Sequence, residues 1–225
     1  MITYLLPILS VIIGFIVVLI FKPAKKQNLK LLLAFSGAFL LGITIFEMLP
    51  ELFANTSQAK NSSLFIVFGI LLQICLEFFS KGAEHGHVHL HKEDKQFPWM
   101  LFISLSIHSL IEGTPLHNHH NILLGIFIHK IPIVIILSSF FLNSNLKKSS
   151  MVLFLSLFAV MTPLGTYLMA TYPNLAQYSN QLTALAVGIF LHISTTIIFE
   201  SSEGHKFNFT KLVIITIGLL ASYFI

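Results

Sequence analysis

The chain has 225 residues, 55% of them hydrophobic and only 10% charged, with a mean hydropathy of +0.85. That balance excludes a soluble globular or a disordered protein and reads as an integral membrane protein. The formal net charge of +4 rests on 13 Lys and no Arg, and the distribution of those lysines along the loops accounts for it without a nucleic-acid partner.

A helix needs about 20 residues to cross a hydrocarbon core about 30 Å thick. In chain order, the predicted spans are Ile2–Phe21, Leu31–Leu52, Ser63–Ser80, Phe97–Leu116, Ile122–Leu142, Met151–Tyr172, Leu182–Glu200 and Thr210–Ile225. Their connections are short, so residues 1–225 read as a single transmembrane domain, with a His-rich loop at 81–96. "FKPAKK" follows the first run and no positive residue precedes it, the reverse of a cleaved secretory signal, so that run is expected to stay as a helix. Lys22, Lys25, Lys26, Lys30, Lys81, Lys92, Lys95, Lys147, Lys148, Lys206 and Lys211 all flank alternate loops, whereas Lys60 alone lies on the opposite side. The positive-inside rule then places both termini outside. Cys75 stands alone, so no disulfide framework is available.

Ionisable residues inside spans need a reason, because each costs about 2.5–3.5 kcal/mol on insertion scales unless partnered or hydrated. Candidates are Glu47 in the second span, Glu77 in the third, His108 and Glu112 in the fourth, His129 and Lys130 in the fifth, and His192 and Glu200 in the seventh. His108 and Glu112 share one helical face by their spacing. Spans four and five are joined only by "HNHH", His117 to His120, which predicts an antiparallel hairpin. Pairing residues equidistant from its turn puts His108 opposite His129, roughly 15 Å below the turn, and Glu112 opposite Gly125, where a missing side chain leaves space. Two imidazoles and a carboxylate make a three-ligand site suited to Zn²⁺ or another borderline divalent ion. Pro115 and Pro132 would free the carbonyls of Ile111 and Ile128. Freed carbonyls suit a cavity lining, the alternative being an ordinary packing kink.

"HSLIEG" in span four and "HKIP" in span five resemble the paired signature helices of the ZIP (Zrt/Irt-like) divalent metal transporters, His-Asn-x-x-Asp/Glu-Gly and His-x-x-Pro-Glu/His. "SGAFLLGITIFEMLPELF" and "ALAVGIFLHISTTIIFES" are similar to that family's second and seventh helices, and "EHGHVHLH" resembles its cytoplasmic His-rich loop. The resemblance implies an all-α membrane fold of eight transmembrane helices in a 3+2+3 inverted-repeat bundle, and "GAFLLGITIFE" from Gly37 faintly parallels "GIFLHISTTIIFE" from Gly188.

Carried over residue by residue, the resemblance makes His108, Glu112 and His129 metal ligands, with Ser109 where Asn is usual in the same set. Lys130 takes a position where an acidic or amide residue often helps hold a second metal, Ile133 takes the place of the usual Glu or His, and Val134 stands where Gly or Glu is common. The second site is thus expected to be lost, the Lys130 ammonium substituting for its cation and pairing with Glu112. Glu47 and His192 fall on helices flanking the family's transport path and are expected to relay metal or protons, interhelical hydrogen bonds being the plainer alternative. Glu77 and Glu200 read as interfacial and Glu51 as outside. His85, His87, His89 and His91 suggest labile metal binding in the cytoplasmic loop, and His117, His119 and His120 suggest metal gathering at the entrance.

The resemblance implies a transporter, not an enzyme, that passes a divalent metal toward the cytoplasm by rearranging one helix bundle against another. Zn²⁺ is the expected ion, with Fe²⁺, Mn²⁺, Co²⁺ and Cd²⁺ compatible with the same ligands, and no prosthetic group is expected. The alternatives are a metal-binding sensor or transport-deficient homologue, and a membrane-embedded zinc metalloenzyme. The expected partners are the metal ion and the bilayer, with no nucleic acid; the sequence leaves a homodimer open. Abundant Ile, Lys and Asn without Arg suggest a bacterial cytoplasmic (inner) membrane.

Overall fold

Uninterrupted Leu, Ile, Val and Phe runs leave the backbone no partner but itself in an apolar medium, and helix is the form that satisfies it. The computed structural model describes residues 1–21, 26–54, 56–82, 97–117, 122–200 and 209–225. Its α-helices are α1 (Ile2–Phe21), α2 (Lys26–Ile43), α3 (Leu49–Phe53), α4 (Ala59–Ser80), α5 (Trp99–Glu112), α6 (Ile122–Leu142), α7 (Lys148–Thr171), α8 (Pro173–Ala176), α9 (Ser179–Glu200) and α10 (Phe209–Tyr223). Among the described residues there is no strand.

Among the described residues, six helical stretches are long and apolar enough to cross a membrane: Ile2–Phe21, Asn28–Phe53, Thr56–Ser80, Ile122–Leu142, Lys148–Thr171 and Ser179–Phe199. The fourth and eighth predicted spans are shorter helices of 14 and 15 residues, α5 and α10. Helix α5 stops early for a local reason. The Thr114 backbone N–H and hydroxyl both donate to the Ile111 carbonyl, at 3.0 and 2.8 Å, and Pro115 then opens a separate 3-10 turn, Pro115–His117. The Ile111 carbonyl, expected to be freed by Pro115, is therefore doubly occupied.

Between α2 and α3 the helix widens into a π-helical segment, Thr44–Met48, closed by the Leu49 N–H bonding back to the Thr44 carbonyl. The Thr44 hydroxyl donates to the Leu40 carbonyl at 2.7 Å, and Pro50 has no N–H to offer the preceding turn. Such bulges recur at functional sites, and this one carries Glu47.

Two apolar cores organise the bundle. One joins α1, α5, α6 and α7 through Val11, Leu105, Ile133, Leu137, Phe154 and Phe158. The other joins α2, α3 and α9 through Leu40, Ile43, Leu52, Val187, Phe190 and Ile193, and takes in the N-terminal half of α6 at Ile122 and Ile126. Helix α4 packs on α9 and α10 on α2, while α1 packs on α6 and α5 on α7. Exchanging the first three spans with the last three, and the fourth with the fifth, turns each of these pairings into its counterpart.

Glycines set the closest approaches. A Cβ on Gly69 would strike the Leu185 carbonyl and one on Gly188 the Ile66 carbonyl, so α4 and α9 meet backbone to backbone. Gly113 and Gly165 do the same for α5 and α7, against the carbonyls of Thr162 and Leu110. Small residues at such crossings are how helices pack where lipid removes the hydrophobic drive between them. Lys211, in the first turn of α10, donates to the Ile198 carbonyl at 2.5 Å and so satisfies the last turn of α9.

Helices α5 and α6 do not pack along each other as a tight hairpin. Helix α5 leans on α7 and α6 on α1, and side chains span the gap between α5 and α6. Gly125 accordingly faces α2 rather than Glu112: a Cβ there would lie 3.0 Å from Ile43 Cδ1 and 3.7 Å from Leu40 Cδ1.

Candidate metal centre

In the gap between α5 and α6, polar side chains replace the apolar core. His108, Ser109 and Glu112 project from α5, and His129 and Lys130 from α6; none is more than 1% exposed. The rings of His108 and His129 meet nearly edge to face, with centroids 6.4 Å apart and planes at 74°. One turn along α5, Glu112 turns its Oε2 toward His108, 3.3 Å from Nε2.

The other carboxylate oxygen is taken. Lys130 Nζ pairs with Glu112 Oε1 and also donates to Ser109 Oγ at 3.0 Å and to Thr162 Oγ1 at 2.7 Å. Those three acceptors use the three donors an ammonium has. The Phe158 ring adds a cation–π contact, its centroid 4.8 Å from Nζ. Thr162 in turn donates to Glu112 Oε1 at 2.6 Å. A buried charge is tolerable only when paired and hydrogen-bonded, and here both members of the pair are.

Thr162 is the functional residue that sequence reasoning missed. It comes from α7, directly before Pro163, and one turn further Thr166 donates to the Gly113 carbonyl at 2.9 Å. A hydroxyl in an apolar span usually bonds the carbonyl four residues back, so the residue type alone does not mark it. The available signals are its place before a span proline and the small residues Gly113 and Gly165 that bring α7 against α5.

Among the described residues, no group of three or more His, Cys, Asp or Glu side chains is gathered at metal-holding spacing. Glu112 keeps Oε2 near His108, at 3.3 Å, while its Oε1 is held by Lys130 and Thr162. Ile133, at the position of the usual second ligand, is buried in the apolar core with Val134 and Leu137.

Away from this cluster, His192 Nε2 lies 2.6 Å from Glu77 Oε2, joining α9 to α4. Both are partly buried, at 18% and 23% exposed, so Glu77, near the end of α4, has a packed partner. Glu47 sits partly exposed on the π-helical segment. Where α3 meets the start of α9, a cavity of about 590 Å³ is lined by Met48, Glu51, Gln58, Asn180, Gln181 and Thr183 among others. His117 is exposed at the end of its 3-10 turn. His85, His87, His89 and His91, with His119 and His120, lie outside the described residues.

The profile of a protein family described as ZIP Zinc transporter matches residues 80–225, the stretch that contains all these cluster residues. The chain belongs to the ZIP zinc transporter family. Its relatives include Protein zntD of Dictyostelium discoideum, 32% identical over 155 residues, covering 57% of this chain and 22% of that protein. Zinc transporter ZIP1 of Danio rerio is 36% identical over 90 residues, covering 37% of this chain and 30% of that protein. The chain thus spans less than a third of the length of either relative. Family and helices together describe a multi-pass membrane protein. Both relatives come from eukaryotes, and nothing in them supports the bacterial inner membrane expected from composition.

Proposed function

We propose that the chain transports a divalent metal ion, zinc first among them, toward the cytoplasm through a site formed by His108, Glu112 and His129 with Ser109 beside them. The observation that carries this reading is two facing imidazoles and a carboxylate buried together in an apolar bundle, on two helices that leave a gap between them. A divalent ion cannot cross hydrocarbon bare, and these groups are suited to replace its waters. Membership of a zinc transporter family and two relatives, one of them named a zinc transporter, support zinc as cargo. The same membership favours a transporter over an enzyme.

Lys130 occupies the place of a second cation. Its ammonium neutralises Glu112 while the site is closed, and an arriving ion must work against it, at about 4 kcal/mol per pair of unit charges 4 Å apart at an effective dielectric of 20. Weak capture and ready release follow from that opposition. The exchange of helix pairings supports the 3+2+3 inverted repeat, and the Lys distribution supports both termini outside. Every residue of the polar cluster belongs to the α1, α5, α6 and α7 bundle, which suggests that this bundle carries the site past the other. The cavity near Glu51 would serve as an outer vestibule, and the Glu47 region and the His192–Glu77 pair would line the path.

A second reading is a sensor or transport-deficient homologue, favoured by the Lys130–Glu112 pair that closes the site. Radioactive zinc uptake into proteoliposomes separates the two. Transport predicts uptake well above empty liposomes, whereas zinc binding without uptake would establish the sensor.

A further inference from the structure

The two oxygens of Glu112 are not equivalent. Oε1 accepts from the Lys130 ammonium and from the Thr162 hydroxyl, the latter at 2.6 Å, while Oε2 faces His108 Nε2 at 3.3 Å. The direction of the Thr162 bond is fixed by its other neighbour. Lys130 Nζ, 2.7 Å away, can only donate, so Thr162 Oγ1 must accept from it and direct its single proton to Glu112. Thr162 is fully buried, and its helix is held on α5 by the Gly113–Gly165 contact and the Thr166 bond to the Gly113 carbonyl. The hydroxyl has no room to drift away from the carboxylate.

We propose that Thr162 is a specificity-determining residue of the metal site: together with Lys130 it holds Oε1 of Glu112, leaves only Oε2 for the cargo ion, and thereby favours Zn²⁺ over Mn²⁺. The inference rests on His108, Glu112 and His129 being the transport site. Two imidazole nitrogens and one carboxylate oxygen make three ligands, and with one further position they complete the tetrahedral shell that Zn²⁺ accepts. Mn²⁺ prefers a six-coordinate, oxygen-rich shell, and a carboxylate that offers both oxygens brings the site closer to one. Holding Oε1 denies the larger shell a ligand and costs the smaller one nothing. The hydroxyl acts through Glu112 and does not itself touch the ion, so it is a positioning residue with a selectivity readout.

The test is titration calorimetry of the full chain in detergent with Zn²⁺ and with Mn²⁺, comparing wild type, Thr162→Val, Thr162→Ser and His108→Ala. Thr162→Val should raise the affinity for Mn²⁺ relative to Zn²⁺ by roughly three- to tenfold, the net worth of one ordinary hydrogen bond. Thr162→Ser, which keeps the hydroxyl, should retain the wild-type ratio. An unchanged ratio in Thr162→Val, or the same change in both variants, would overturn the inference.

Infrared difference spectra of zinc-loaded wild type supply a second measurement that depends on no variant. A wide separation of the carboxylate stretches, the signature of a monodentate ligand, is expected; a narrow, bidentate separation would refute it. Zinc binding that His108→Ala leaves untouched would instead overturn the site assignment itself, a failure distinct from an unchanged selectivity ratio.

Discussion

Thr162 of α7 and Glu112 of α5 are hydrogen-bonded at 2.6 Å inside the bundle, so the fourth span's carboxylate is positioned by a helix that lies beyond the signature pair. The bond ties the polar cluster to the packing of α5 on α7. It also makes the state of the site depend on three helices, α5 and α6 supplying the charge pair and α7 the hydroxyl that bonds to both.

Replacing Lys130 by Met should uncover this dependence. Glu112 would keep its burial and lose its counter-ion, and breaking a buried pair from one side costs about 3–5 kcal/mol. Thermal unfolding of the metal-free protein should shift down. Zinc affinity should rise at least about tenfold as the opposing charge goes, so added zinc should restore more stability to the variant than to wild type. Equal zinc stabilisation of both would argue against Lys130 as a competing cation.

The Gly113–Gly165 contact offers a purely steric probe. An Ala at Gly165 would drive its Cβ into the Leu110 carbonyl, and forced overpacking of this kind costs about 1–3 kcal/mol. Gly165→Ala should lower the unfolding temperature and weaken zinc binding together, because the clash falls on Leu110 of α5, between His108 and Glu112. Changing Gly188 to Ala is sterically just as severe at α4–α9, yet lies in the other bundle and should lower stability with little effect on zinc affinity in calorimetry.

Glu77 and His192 are expected to act on movement of the ion and not on its capture. Glu77→Gln should slow zinc uptake several-fold at unchanged calorimetric affinity, with a stability loss below about 2 kcal/mol, the range of interhelical hydrogen bonds in membranes. Equal losses of affinity and uptake would place the pair at the main site.

Much of this arrangement was legible in residue patterns. Runs of apolar residues marked six of the eight expected spans at membrane-crossing length, and counting from the turn brought His108 opposite His129, where their rings meet at 6.4 Å. Counting failed for Gly125 and Glu112 because it assumed that α5 and α6 pack as a hairpin, whereas Gly125 lies against Ile43 and Leu40 of α2. Chain adjacency cannot reveal that α5 prefers α7 and α6 prefers α1. The end of α5 was misplaced for a local reason, since Thr114 takes the Ile111 carbonyl with both its N–H and its hydroxyl. Thr162 escaped because its role arises only when α7 is laid on α5, and Glu77 because its partner is on α9. Long-range pairs of single polar residues carry no periodicity, so they leave no trace in a local pattern.

The central claim is that metal crosses through the His108, Glu112 and His129 site. It is tested most directly by zinc uptake into proteoliposomes of verified protein orientation, wild type against His108→Ala. The account predicts robust uptake by wild type and its loss, by about tenfold or more on removal of one of three ligands, in the folded variant. Equal uptake by both proteins would contradict it.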